Sequence, residues 1–103
     1  MRVNLEHHDS GWTATVERTR EFADFAVEIT AAPGLDHSVI RCEGVRVEHD
    51  AAWVLASWLA NAADCRHGEP AARFQKMLDY ANRRGWYDRE RNEIAAHIMI
   101  RER

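Results

Sequence analysis

The chain has 103 residues, enough for one core and too few for two, and 30 % of its side chains are charged, as in an ordinary globular domain. The formal net charge of −3 gives non-specific nucleic-acid binding no help, and two cysteines, Cys42 and Cys65, are too few for a disulfide framework. No run approaches the roughly 18 apolar residues of a membrane span, and the first ten residues lack the apolar run of a signal peptide, so no membrane and a cytoplasmic location are expected.

Val3, Leu5 and His7 alternate with polar neighbours, Asp9-Ser10-Gly11 is a turn signal, and Trp12, Ala14 and Val16 alternate again. The spacing predicts a hairpin with one apolar face. Thr19 to Asp24 is charged and reads as a connection. Phe25, Val27 and Ile29 mark a third strand, Ala32 to Asp36 a loop, and Ser38 to Cys42 a fourth strand. Val45 and Val47 resume the alternation after Gly44, which is either the tip of a tight turn or a bulge.

Two consecutive helices are expected from Asp50 to Gly85. Asp50 suits an N-cap, and Ala51, Val54, Leu55, Trp58, Leu59, Ala62 and Cys65 follow at spacings of three and four. Trp53, Ala56 and Ala60 put apolar surface on a second face of that helix. Arg66, His67 and Gly68 end it. Pro70 suits the first position of the second helix, and Phe74, Met77, Leu78 and Ala81 form its narrower stripe. Gly85 stops it, with Trp86 placed to fold back on its last turn. In the tail, Ile94, Ala96, Ile98 and Ile100 alternate, which favours a strand over a helix. The resulting fold is a single α+β domain over residues 1–103. It has two layers: an antiparallel sheet, formed as an N-terminal meander, carries two helices on one face, with a possible C-terminal strand.

The chemistry-bearing residues do not form a recognised motif. His7 and His8 are adjacent, so a strand points them to opposite faces. Cys65-Arg66-His67 lacks the paired spacing of a zinc site, and the five glycines are scattered singly. No metal, cofactor or catalytic residue is therefore assigned. Arg83, Arg84, Trp86 and Tyr87 lie in a stretch that interleaves arginines with aromatics, as nucleic-acid surfaces do. Asp88 and Glu90 break that run, so nucleic acid is not the expected partner. Four tryptophans exceed what so small a core needs, and Trp53, Ala56 and Ala60 offer a face for a partner.

Residues 1–50 carry a net −5 and residues 66–91 a net +3, an asymmetry that suits head-to-tail self-association or an acidic partner. Lys76 is the only lysine among fourteen basic side chains, which points to a GC-rich bacterial or phage genome. The expected function is that of a non-enzymatic protein-interaction or regulatory domain. Its expected partner is a second copy or another protein, through Trp53, Ala56, Ala60, Arg83, Arg84, Trp86 and Tyr87. The alternative is a small enzyme or ligand-binding domain with a pocket between sheet and helices.

Overall fold

The computed structural model describes residues 1–9 and 11–102, with Ala31 described by its backbone alone. Ser10, expected in the first turn, lies outside the described residues. The elements run β1 (Arg2–His8), β2 (Gly11–Glu17), β3 (Ala26–Ala31), β4 (Val39–Cys42), β5 (Val45–Glu48), β6 (Ala51–Leu55), α1 (Ala56–Ala62), α2 (Gly68–Arg83), β7 (Tyr87–Asp88) and β8 (Glu93–Glu102).

The α+β class holds, and the antiparallel two-layer meander does not. The strands form one sheet in the order β2-β1-β3-β8-β6-β5-β4, with β7 beside the start of β8. The sheet is mixed, because β1 pairs parallel with β3 and β3 parallel with β8. It also curls until its outermost strands, β2 and β4, lie against each other, which makes it nearly a barrel. Alternation states which face a residue takes. It does not state which strand lies beside it or in which direction that strand runs.

The inward faces are those the alternation marked, except on β6, which was expected to be helix. Val3 and Leu5, Val27 and Ile29, Ile40, Val45 and Val47, Ala52 and Val54, and Ile94 are all buried. Both helices sit at one end of the barrel rather than across one face of a sheet. At that end β1, β3, β5 and β8 begin and β2, β4 and β6 finish. Leu59 and Ala56 of α1, and Phe74 and Ala81 of α2, close it.

The first expected helix is corrected at both ends: it closes at Ala62, before Cys65 and the expected stop at Arg66 to Gly68. Ala51 to Leu55 forms a strand held on both edges, by β5 and by β8. Ala52 and Val54 fit an inward strand face as well as a helical stripe, and ladders on two sides decide the competition. The helix begins at Ala56 behind Leu55, which makes no side-chain cap. Asp50 therefore caps nothing; it shares the two-residue turn between Glu48 and Ala51 with His49. The second helix starts at Gly68, two residues before Pro70. It ends as expected: the Trp86 N–H donates to the Ala81 carbonyl at 2.8 Å and the Gly85 N–H to the Asn82 carbonyl at 3.2 Å, a Schellman ending.

Gly44 resolves as a turn, since Cys42 pairs with Val45. It has φ +83, and a Cβ built on it would lie 2.1 Å from the Trp58 ring. Trp58 packs against this turn and ties α1 to the β4–β5 hairpin. Gly44→Ala should thus cost about 2–4 kcal/mol, from left-handed strain and overpacking together. Gly34, with φ +78 and open space around it, isolates the strain alone; Gly34→Ala should cost about 1 kcal/mol. Urea denaturation of the two variants checks the difference. Phe74 is only 5 % exposed while Leu78 is half-buried, so Phe74→Ala should be the more damaging, at about 3–5 kcal/mol.

Candidate interaction site

The residues marked by the sequence separate into two places. Trp53 lies on β6, whereas Ala56 and Ala60 lie on α1, so the three share no helical face. Trp53 is half-buried on the outside of the sheet, with the Arg46 guanidinium 5.8 Å above its ring. Arg46 is in turn held by Glu93 at 2.8 Å, and that carboxylate raises the guanidinium above its ordinary pKa. Ala56 is buried and Ala60 half-buried against the core.

Arg83, Arg84, Trp86 and Tyr87 cluster at the end of α2. Arg84 stacks on Trp86 at 5.1 Å, and Trp86 meets Tyr80 edge-on at 5.9 Å. The Tyr87 hydroxyl donates to the Asn92 side-chain carbonyl within the turn before β8. Arg83 is exposed in the last turn of α2, where a cation complements the helix dipole. The Schellman ending points Trp86 back along the helix, and its ring remains 42 % exposed beside a 50 % exposed Tyr80.

Two openings follow from the length of β8, whose ten residues outrun every neighbour. On one edge β6 pairs with residues 93–96 and stops, leaving residues 97–102 without a strand among the described residues. On the other edge β7 takes residues 93–94 and β3 takes residues 97–102. Between them the Ala95 N–H donates to the Trp86 carbonyl at 2.6 Å. That interval in the barrel wall opens into a groove of about 940 Å³ alongside α2. Phe25, Met77, Ala81, Trp86, Ile94 and Ala96 line it, and Asp24, Arg73, Lys76 and His97 stand among them. Sequence reasoning missed Phe22 and Phe25 as groove walls, because both border a charged connection. It missed the overhang of β8 because strand length is informative only once the neighbours are known.

The thiols are poorly placed for nucleophilic work. Burial pushes the Cys42 and Cys65 thiols up from their ordinary pKa, although Arg20, 3.5 Å from the Cys65 sulfur, pulls the other way. His7, expected on an inward face, is exposed and packs edge-on against Trp12 at 5.1 Å. It stands at the end of the barrel away from the helices, where the inward face is open. Among the described residues no group of three or more His, Cys, Asp or Glu is placed to hold a metal ion, and no helix is long and apolar enough to cross a membrane.

No protein-family model, curated protein or solved structure matches this chain. An aromatic disulfide reagent should leave Cys65, which is 3 % exposed, unmodified in the native protein and modify it once denaturant is added. Mass spectrometry of the labelled peptides checks this; rapid native labelling of Cys65 would contradict its burial.

Proposed function

We propose that this protein is a non-enzymatic interaction domain that works by self-association, and that its pairing surface is the free half-edge of β8. One observation carries the reading: among the described residues, 97–102 pair with β3 on one side and face no strand on the other. The Ala56 N–H donates to the Asn92 carbonyl at 2.8 Å, which turns the backbone groups of Asn92, Ile94 and Ala96 toward β6. Continued along the strand, the same parity turns the N–H and C=O groups of Ile98, Ile100 and Glu102 toward the open side. An open edge of this kind is a template for another strand. Ile100 is 47 % exposed although it has inward parity, and Met99 is 37 % exposed on the outer face.

A second copy fits this edge by symmetry. A two-fold axis normal to the sheet keeps inner face with inner face, so each residue meets one of its own parity. Centred on Ile100, it sets Ile100 against its copy, Met99 against Arg101 and Ile98 against Glu102. Centred on Met99, it would set Glu102 against Ala96, which Ala52 already pairs. A ladder this short gives a weak dimer, since each backbone hydrogen bond contributes only about 0.5–1.5 kcal/mol net. The helical face of Trp53, Ala56 and Ala60 does not exist as a unit, so the expected interface moves from there to the sheet edge.

Sedimentation over roughly 10–500 µM should show a monomer–dimer equilibrium for the wild type. Ile100→Lys should abolish it, because an edge lysine blocks strand addition, while Trp53→Ala should leave it unchanged. A monomer throughout that range, or a dimer indifferent to Ile100→Lys, would sink the proposal.

A further inference from the structure

We infer that the groove between α2 and β8 is a binding site for an amphipathic organic anion, an aliphatic or aromatic body carrying one carboxylate or sulfonate group. The site lies on the edge of β8 opposite the self-pairing edge and does not depend on it. Its volume of about 940 Å³ falls in the range of small-molecule sites, roughly 300–1,000 Å³. Phe25, Met77, Trp86 and Ala96 supply an apolar wall for the body of the ligand.

The charges select the head group. Arg73 and Lys76 stand three residues apart on α2, so they share a helical face along one side of the groove. Opposite them, Asp24 already pairs with Arg2 at 3.4 Å. Arg73 is held in place: its guanidinium lies 4.7 Å over the Phe22 ring and donates to the Arg20 carbonyl at 3.4 Å. Among the described residues Lys76 enters no ion pair and is exposed. With histidine neutral, the lining carries one more positive than negative charge, in a chain whose overall charge is −3. An anion seated beside Lys76 meets a cation that no protein group has claimed, and its apolar body covers half-exposed Tyr80 and Trp86.

The test uses the full chain with octanoate and its uncharged counterpart octanol, each titrated to about 1 mM and followed by calorimetry and by backbone amide NMR. Octanoate should bind saturably and more tightly than octanol, with shifts confined to Ala95, Ala96, His97, the Trp86 indole and the middle of α2. Lys76→Glu, a change on an exposed side chain whose melting curve shows whether the fold is kept, should weaken octanoate roughly three- to tenfold and leave octanol unchanged. Tyr80→Ala, which removes one wall, should weaken both. Ile100→Lys should weaken neither. No saturation, equal affinity for acid and alcohol, shifts centred elsewhere, or indifference to Lys76→Glu would each overturn the inference.

Discussion

The structure depends on one strand being longer than its neighbours. β8 joins the β2-β1-β3 ladder to the β6-β5-β4 ladder, and no other strand among the described residues pairs with both. Its first half is antiparallel to β6 and its second half parallel to β3. The inward residues of both ladders meet those of β8 in a single core, so Ile94 packs in the same cluster as Val27 and Val54. Because the two halves of β8 serve different partners, neither ladder covers its whole length. The free edge and the groove are the two shortfalls of that arrangement, one on each side of the same ten residues.

Much of the local structure was legible. Alternation located six of the strands, and the Gly85-Trp86 pair located the end of α2, because these signals depend on neighbours in sequence. The tail was legible as a strand for the same reason: isoleucines two apart waste one face of a helix. What was not legible depends on partners distant in sequence. Ala51 to Leu55 fits either period, and its state was decided by β5 on one edge and β8 on the other. The direction of β3 beside β1 leaves no mark on either strand. β7 is two residues long, too short to carry a period.

The candidate site was legible in part. Trp86 was singled out and does border the groove, and Arg84, singled out with it, stacks on its ring. Trp53 was singled out for standing off a helical stripe. Its position is explained instead by a strand, on whose outer face Arg46 covers it. The walls Phe22 and Phe25 come from a connection far before α2 in sequence, and no local pattern unites them with Met77.

The strand order also sets a schedule for the ribosome. Among the described strands β8 is synthesised last, and it sits in the middle of the sheet. Until it emerges, the nascent chain can form the two outer ladders but cannot join them. The edges of β3 and β6, which β8 will cover, then stand exposed together, each with buried-type residues such as Ile29 and Val54 behind it. The vulnerable species of this protein is therefore the chain before β8 has joined the sheet, with two complementary edges waiting for a strand that another molecule can supply.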